Sequence, residues 1–506
     1  MCWGVKEVVE YISIPAISLQ AAVSAAYQEQ QDLVAMFAND ERELDGHYAI
    51  YCVFAAGKGF KVVRALLPAA GPLEFPSLSP QIPAAAWYER EIHDLFGLTP
   101  VGHPDLRPLV LHENWPDNVY PLRKDFDVHT PVATVHKQWH MNTVTGEGTF
   151  EVPVGPIHAG IIEPGHFRFS QAGESILRLD AKMFFVHRGI EKAVEGLPLA
   201  KAFYQVERIS GVCNVAHSLA YCQAVESLAG AQVPNRAQYL RALVAELERL
   251  YNHVGDIGNL CAGMGFAVAI MAGARLKEAI MRINEALTGN RFLRGMVVPG
   301  GVRQDIDDEL SSAIIELLNR LEPDFTELIG LFRNNDEFLN RVDTTGIVPR
   351  QAALDLGVVG VGARASGIDA DTRRDYPYGC YAELEFAVPV YTTGDVAARL
   401  WVRVDEVYQT IKLIRQILAQ MPAGPLRVEI PAIAPYSSGF GWSESSQGNC
   451  LHWLMTGKDN TIYRLFVRAA AYPNWPALTV AAPGNIIPDF PLINKSYELS
   501  YACLDR

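Results

Sequence analysis

The chain contains few cysteines for its length and has no apolar run long enough to cross a membrane. Only 8 of its 506 residues are cysteine, which argues against a disulfide-stapled secreted domain. The longest apolar run, residues 260–274, contains three glycines and is shorter than the roughly 20 residues that a spanning helix needs. This run therefore predicts a buried helix.

Basic residues are in deficit, with 43 Lys and Arg against 57 Asp and Glu and a net charge of -14. This balance argues against nucleic acid or an anionic bilayer as the main partner, because both are anionic and bind proteins through basic patches. The first ten residues lack the basic start and apolar stretch of a secretory signal, which predicts a cytoplasmic protein. The glycine-rich segment 357–362 lacks the lysine of a phosphate-binding loop, so nucleotide binding is not expected.

Two cysteines stand out by their neighbours. Cys213 and Cys503 each have a serine three residues earlier, Ser210 and Ser500, where a Cys-x-x-Cys pair would place its other sulfur. A serine hydroxyl is nearly isosteric with a thiol but is a hard, neutral oxygen at pH 7, so a metal that selects thiolates would lose half its ligands. The other six are predicted to be inert buried side chains: Cys2, Cys52, Cys222, Cys261, Cys380 and Cys450.

The sequence predicts an α+β protein. Residues 1–130 alternate short apolar runs with turn signals and predict a small α/β domain; residues 131–150 predict a linker. Residues 151–506 predict a mainly helical domain with a small β portion, in which apolar spacing indicates helices over 235–287, about 305–340 and 396–420. Cys213 falls near the start of a predicted helix over 212–226, whose free amides would favour a thiolate. The apolar segment 490–501 predicts that the tail carrying Cys503 docks onto the core.

Six separated motifs resemble the large subunits of formate hydrogenlyase-type nickel–iron hydrogenases and the related thirty- and forty-nine-kilodalton subunits of respiratory complex I. They occur in the order expected for a fused chain. The motifs are Glu89-Arg-Glu-Ile-His-Asp-Leu-Phe-Gly97 with Gly102-His-Pro-Asp-Leu-Arg107, Gly155-Pro-Ile-His158 with Glu163-Pro-Gly-His-Phe-Arg168, His187-Arg-Gly-Ile-Glu-Lys192, Glu207-Arg-Ile-Ser-Gly-Val-Cys-Asn-Val-Ala-His-Ser218, Arg364-Ala-Ser-Gly367, and Ser500-Tyr-Ala-Cys-Leu-Asp-Arg506.

The resemblance implies that Cys213 and Cys503 occupy the positions whose sulfurs bridge nickel to iron. Ser210 and Ser500 then occupy the two positions that bind nickel alone. Three states of the cysteine pair stay open: two inert thiols, a disulfide, or a residual two-sulfur metal site that would need other donors. Hydrogenases of this family usually carry a clipped extension after the last motif, whereas this sequence stops at Arg506.

The resemblance also implies roles for four other segments. Glu163 falls where hydrogenases keep a proton-passing carboxylate, while His158 and His166 fall in the loop that faces the quinone headgroup in complex I. Arg364 would lie near the pocket and bind an anionic ligand, or instead pair with Asp371 or Asp375. His187 and Arg188 would lie against the iron–sulfur cluster of a partner subunit. Each of these residues has an ordinary structural role as its alternative.

The leading functional hypothesis is a large subunit of a membrane-associated, hydrogenase-like or complex I-like assembly that has lost its nickel–iron centre and binds no cofactor of its own. The implied partners are a small iron–sulfur subunit, a ferredoxin-like subunit and integral membrane antiporter-like subunits, with the chain on the cytoplasmic face of the membrane. Its role would be to couple electron transfer to ion translocation. The alternatives are a functional nickel–iron hydrogenase and a structural scaffold without redox activity.

Overall fold

The computed structural model describes residues 9–29, 31–57, 59–158 and 162–506. Cys2, predicted above to be inert, lies outside these ranges. The first part of the chain is a four-stranded sheet in the order β1-β4-β3-β2, with β1 parallel to β4 and the other pairs antiparallel. The elements are β1 (Val9–Pro15), α1 (Leu19–Gln28), β2 (Leu33–Glu41), α2 (Arg42–Asp45), β3 (His47–Ala56), β4 (Gly59–Pro68), β5 (Glu74–Pro76), α3 (Ala86–Phe96) and β6 (Thr99–Val101).

A long connection without helix or strand joins this sheet to the rest of the chain. It runs over residues 102–148, all of which the structure describes. It is fixed by polar contacts, since Arg107 donates to Asp180 at 2.9 Å and His112 bonds the Met183 carbonyl at 2.7 Å. The connection therefore lies along the second part of the chain.

The second part combines a helical core with two three-stranded sheets, which confirms the predicted α+β class. The first sheet has the order β7-β8-β9 and the second β12-β13-β14, both antiparallel. The strands are β7 (Thr149–Val154), β8 (His166–Ala172), β9 (Ser175–Lys182), β10 (Val297–Val298), β11 (Gly301–Val302), β12 (Ser438–Ser445), β13 (Gly448–Thr456) and β14 (Ile462–Arg468).

Four long helices, α7, α8, α9 and α14, build the helical core, and α6 packs across β12 and β13. The helices are α4 (Ile190–Ala193), α5 (Leu199–Val206), α6 (Asn214–Ala229), α7 (Asn235–Leu260), α8 (Ala267–Thr288), α9 (Asp308–Arg333), α10 (Asp336–Val342), α11 (Arg350–Asp355), α12 (Gly360–Ala365), α13 (Thr372–Asp375), α14 (Val396–Gln420), α15 (Ala471–Ala481), α16 (Phe490–Tyr497) and α17 (Tyr501–Asp505). Across the described ranges, no helix combines the length and apolar character needed to cross a membrane.

Two predictions on the helices are wrong in the same place. The single helix expected over 235–287 is broken by a 3-10 turn, Cys261–Met264, and by Gly265, whose φ of +72° ends that turn in the left-handed region. The apolar run 260–274 is consequently not one buried helix. It contains the break and the first turns of α8, where Val268 and Met271 are 62% and 72% exposed.

The two parts of the chain share one hydrophobic core. Phe37 on β2 stacks on Phe466 of β14 with ring centroids 4.3 Å apart, and its ring also lies 4.9 Å from that of Trp453 on β13. Tyr51 on β3 contacts the same tryptophan at 5.0 Å. The N-terminal sheet therefore buries an aromatic face against the sheet whose central strand, β13, also packs on α6.

Candidate functional site

The fold brings together all four positions of the interrupted cysteine motifs. The sulfurs of Cys213 and Cys503 lie 2.8 Å apart, and the hydroxyls of Ser210 and Ser500 share a hydrogen bond at 3.0 Å. Both cysteines are only 2% exposed. Segments separated by 290 residues thus form one pocket, as the motif resemblance predicted.

Helix termini position the two cysteines. Cys213 is the residue that precedes α6, and Ser500 caps α17 by accepting a hydrogen bond from the Cys503 amide at 3.1 Å. The predicted docking of the tail is confirmed. Its apolar side chains are buried: Phe490, Leu492, Ile493, Tyr497, Leu499 and Tyr501.

The first amides of α6 do not serve the Cys213 thiol. Glu248 of α7 accepts hydrogen bonds from the amides of Val215 at 2.8 Å and Ala216 at 3.1 Å. These amides are therefore not free to attract a Cys213 thiolate, as the sequence predicted, because they already bond the Glu248 carboxyl group. Burial, with the adjacent Cys213 sulfur, raises the pKa of Glu248 to about 8.

Three further side chains that sequence reasoning did not assign to the site complete its wall. His217 on α6 places Nε2 3.3 Å from the Cys503 sulfur, while its Nδ1 lies 2.9 Å from His452 Nε2 and 3.3 Å from the Cys450 sulfur. All three are buried. Cys450 is buried as predicted, yet it contacts this histidine and is not simply a core side chain.

The local sequence contains a signal for these residues. His217 is four positions after Cys213, which places both on one face at the start of the helix. Cys450 and His452 are two positions apart, which places both on the same face of a strand. What the sequence does not reveal is that β13 packs against α6. The pairing depends on a contact between residues more than 230 positions apart.

The two sulfurs titrate as a pair. Contact with Cys503 lowers the pKa of the Cys213 thiol to about 5, and the same contact raises that of Cys503 well above its ordinary value. A pair at this separation is most stable with one thiolate and one thiol, since both cannot ionise side by side. Burial lowers the pKa of His217, but the adjacent Cys450 and Cys213 sulfurs outweigh burial and raise it.

The exposed Glu163 side chain contacts the C-terminal segment that carries Cys503. Its carboxylate accepts a hydrogen bond from the Ala502 amide at 2.8 Å, in the first turn of α17, and its side chain is exposed. The structure thus places Glu163 beside the segment that carries Ser500 and Cys503. This position is compatible with the predicted proton-passing role and equally with a structural role at the helix start.

The two loop histidines make backbone contacts near that carboxylate. His158 Nε2 lies 2.7 Å from the Gly165 carbonyl, and His166 Nδ1 lies 3.0 Å from the Gly155 carbonyl. Burial lowers the pKa of His166, whose Nε2 is buried and finds no hydrogen-bond partner within the described ranges. Both rings therefore link residues 155–158 to residues 165–166, close to Glu163 in the chain.

Arg364 lies in a buried network of charges. Its guanidinium forms ion pairs with Glu406 at 2.7 Å, Glu444 at 3.0 Å and Asp371 at 3.7 Å. Of the two partners predicted from sequence, the structure shows Asp371. Asp375 instead accepts from the Asp371 amide at 2.9 Å. The carboxylates around Arg364 neutralise the charge that would bind an anionic ligand.

His187 and Arg188 anchor the tail. His187 Nδ1 bonds the Asp505 carbonyl at 2.6 Å, and Arg188 donates to the carbonyls of Ile209 and Ala502 at 2.7 Å and 2.9 Å. Arg188 thereby ties the loop before α6 to α17, the two segments that carry the cysteines.

The last two residues make different anchoring contacts. Asp505 accepts hydrogen bonds from the amides of Phe184 and Val186 at 3.0 Å and 2.9 Å. Arg506 does form ion pairs, with Glu91 at 2.7 Å and Glu191 at 3.0 Å. Burial raises the pKa of Asp505 to about 7.

Known protein families match three consecutive parts of the chain. Residues 12–132 match the thirty-kilodalton subunit of respiratory-chain NADH dehydrogenase, and residues 263–440 match its forty-nine-kilodalton subunit. Residues 188–263, which include Cys213 and His217, match the nickel-dependent hydrogenases. The described pocket is therefore built from the hydrogenase-like part, the tail that docks on it and β13, which lies outside the matched ranges.

Individual relatives cover nearly the whole chain. Formate hydrogenlyase subunit 5 of Escherichia coli is 38% identical over 515 aligned positions, covering 100% of this chain and 90% of the relative. Hydrogenase-4 component G of the same organism is 37% identical, covering 95% of this chain and 85% of its own length. Among solved structures, a chain of the membrane-bound sulfane sulfur reductase, an archaeal respiratory membrane complex, superposes with a TM-score of 0.68 at 28% identity, covering 71% of this chain and 99% of that one.

These matches agree with the motifs and with the convergence of the four motif positions. The chain belongs to the large-subunit family of formate hydrogenlyase-type nickel–iron hydrogenases, which is related to the thirty- and forty-nine-kilodalton subunits of respiratory complex I.

Proposed function

We propose that the chain is the large subunit of a membrane-associated redox complex in which no nickel–iron centre forms at the four motif positions. One observation carries this proposal. The hydroxyls of Ser210 and Ser500 bond to each other at 3.0 Å at the two positions where the family resemblance places the nickel-only thiolates. A hydroxyl is a poor substitute for a thiolate on a soft metal.

The remaining donors do not fit a dinuclear centre either. Cys213 and Cys503 supply two sulfurs, which lie 2.8 Å apart and face each other. A centre with two bridging and two terminal thiolates needs four. Arg364 is held by three carboxylates, so its charge is already balanced. The donor count, the serine pair and the occupied arginine all support a pocket without the family's metal pair.

The proposed complex receives electrons from a small iron–sulfur subunit and couples their transfer to ion translocation by membrane subunits, with a ferredoxin-like subunit as a further partner. The similarity to a chain of an archaeal respiratory membrane complex supports a place in a membrane complex, and the proposal assigns the chain to its cytoplasmic face. Arg188 and His187 support the electron-transfer role. Arg188 fixes both cysteine-bearing segments and His187 fixes the C-terminal one, next to the surface that the resemblance assigns to the partner's cluster.

The proposal is tested on the intact complex, captured through an affinity tag on this chain and washed with detergent. Nickel and iron are quantified per chain by mass spectrometry, and hydrogen evolution is measured with a reduced dye. We expect nickel far below one per chain, no hydrogen evolution, and iron with acid-labile sulfide from a co-purified partner. About one nickel per chain together with hydrogen evolution would refute the proposal.

A second measurement tests the electron-transfer role. If Arg188 lies near the partner's cluster, Arg188→Met removes a positive charge and makes that cluster harder to reduce. Potentiometric EPR titration of the complex should therefore show a lower midpoint potential. Arg208→Met is the matched control, because Arg208 is an exposed arginine of the same region. Equal potentials in both variants and the parent complex would favour the scaffold hypothesis.

A further inference from the structure

Five sulfur and nitrogen donors meet in the pocket once His217, Cys450 and His452 are included. The donor atoms of Cys213, His217 and Cys503 lie within 4.8 Å of one another, and so do those of His217, Cys450 and His452. All five side chains are buried. This is the mixed thiolate and imidazole environment that closed-shell zinc prefers.

We propose that this cluster binds a single divalent soft ion of the Zn²⁺ type through Cys213, Cys503 and His217. The inference rests on the proposed function, since it requires that no nickel–iron centre fills the four motif positions. Two thiolates and a neutral imidazole balance the ion's charge, so the complex carries no net charge in its buried surroundings. Binding releases two protons, one from the cysteine pair and one from the His217 ring, and changes no oxidation state.

The geometry requires a small adjustment. His217 Nε2 lies 3.3 Å from the Cys503 sulfur, which is close to the roughly 3.5 Å separation of nitrogen and sulfur on a tetrahedral zinc ion. The two sulfurs, 2.8 Å apart, must separate to about 3.7 Å to share such an ion. The three protein ligands leave one position of a tetrahedral ion to a water molecule.

Cys450 and His452 contact Nδ1 of His217, the ring nitrogen that does not bind the proposed ion. When His217 binds an ion through Nε2, its Nδ1 carries the hydrogen. Nδ1 then donates a hydrogen bond to His452 Nε2, 2.9 Å away. Ligating histidines are commonly oriented by such a contact on the other ring nitrogen. His452 Nδ1 is itself buried and has no hydrogen-bond partner among the described residues.

The test uses the full-length chain in its purified complex, first analysed for zinc as isolated and then treated with chelator and titrated with Co²⁺. We expect about one ion per chain, with the sulfur-to-cobalt charge-transfer absorption and intense d–d bands of a tetrahedral site. Cys213→Ser and His217→Ala should abolish these bands. His452→Ala should retain the stoichiometry and weaken binding about 10–100-fold, because it removes a supporting contact only.

Cys222→Ser is the matched control, because Cys222 is a buried cysteine on the same helix as His217 that contributes no donor to the cluster. It should bind Co²⁺ like the parent protein. Circular dichroism melting of every variant separates lost binding from lost folding. Binding that Cys213→Ser leaves intact, or a Cys213–Cys503 disulfide with no bound zinc, would overturn the inference. Nickel at one per chain would instead refute the underlying functional proposal.

Discussion

Single buried residues join distant segments around the tail, and Glu191 is the clearest case. Its carboxylate pairs with Arg464 at 2.8 Å and Arg506 at 3.0 Å, and it accepts the Val467 amide at 3.0 Å. Arg464 and Arg506 are 3% exposed or less. One carboxylate is thus shared by two buried guanidinium groups, of which Arg506 also pairs with Glu91 at 2.7 Å.

Glu191→Gln should therefore destabilise the protein strongly. The neutral side chain leaves two buried arginines with reduced charge compensation, which we expect to cost about 3 kcal/mol or more of unfolding free energy. Chemical denaturation followed by tryptophan fluorescence measures the change. Glu278→Gln, which breaks an exposed pair with Arg291, serves as the control and should leave the denaturation midpoint nearly unchanged. Similar midpoints for the two variants would contradict the prediction.

Glu498 predicts a pH dependence of stability. Burial raises its pKa from 4.5 to about 7, with the nearby Asp256 adding to the rise. Because the folded chain holds this proton more tightly than the unfolded chain, the stabilisation is complete below about pH 4.5 and is lost as the pH rises towards 7. Glu498→Gln keeps the acceptor for Asn259, which donates to Glu498 at 2.7 Å, and removes the titration.

Melting curves of Glu498→Gln and the parent chain should accordingly coincide near pH 4.5 and separate by pH 8. At pH 8 the variant should be more stable by about 1–2 kcal/mol, a figure that allows for the partial exposure of the side chain. Glu309→Gln, at an exposed position, should follow the parent at both values. A constant difference between Glu498→Gln and the parent across the range would exclude this titration.

The residues of the site were predictable only where a motif carried them. Cys213, Cys503 and Glu163 were assigned through the resemblance, and the structure places all three at α17 or against it. Cys450 and His452 belong to no recognised motif. Their role depends on β13 packing beside α6, and apolar spacing along the chain does not specify which surfaces meet.

At the scale of secondary-structure elements, the crossing of α7 and α8 depends on two glycines. A Cβ added at Gly258 would lie 2.9 Å from the Gly273 Cα, and one added at Gly273 would lie 2.7 Å from the Gly258 Cα. The two backbones are therefore in direct contact. A methyl group at either position must push the helices apart.

Gly258→Ala should destabilise the protein by about 1–3 kcal/mol, because overpacking outweighs the gain in helix propensity. Gly330→Ala is the control, because Gly330 also lies within a helix and, apart from that helix's own backbone, no described atom lies within 4 Å of a Cβ added there. That variant should be unchanged or more stable by up to about 1 kcal/mol. Urea denaturation compares the two, and equal effects would mean that close packing does not limit this position.

Two of the long helices show which features of the elements the apolar spacing predicts and which it does not. α14 has the bounds 396–420 that its apolar spacing predicted, since one continuous stripe faces the core. The pattern over 235–287 is also continuous, yet the chain turns at Cys261–Met264. Glycines tolerated within a helix and glycines that end one look alike in sequence, and tertiary packing decides between them.

At the scale of the whole molecule, the predicted boundary near residue 130 concerns a folding unit and stays a prediction. The first sheet has its own hydrogen bonding, but its core is continuous with the second part through Phe37, Phe466 and Trp453. Eight of the nine residues of β2 are buried. The sequence indicated the sheet and gave no sign that one of its faces is covered by another part of the chain.

This shared core predicts that residues 1–130 do not fold stably alone. Separation would expose Phe37 and Tyr51 to water, together with the rest of that sheet face, and contiguous apolar patches of this kind promote association. The isolated fragment should aggregate or show a broad, non-cooperative melting curve, whereas the full chain should melt in one transition that includes the first sheet. Circular dichroism and light scattering on the fragment measure this directly. A monomeric fragment with a cooperative transition would show instead that the aromatic seam is an interface between two independent domains, and Phe37→Ala in the full chain would then weaken docking without unfolding the sheet.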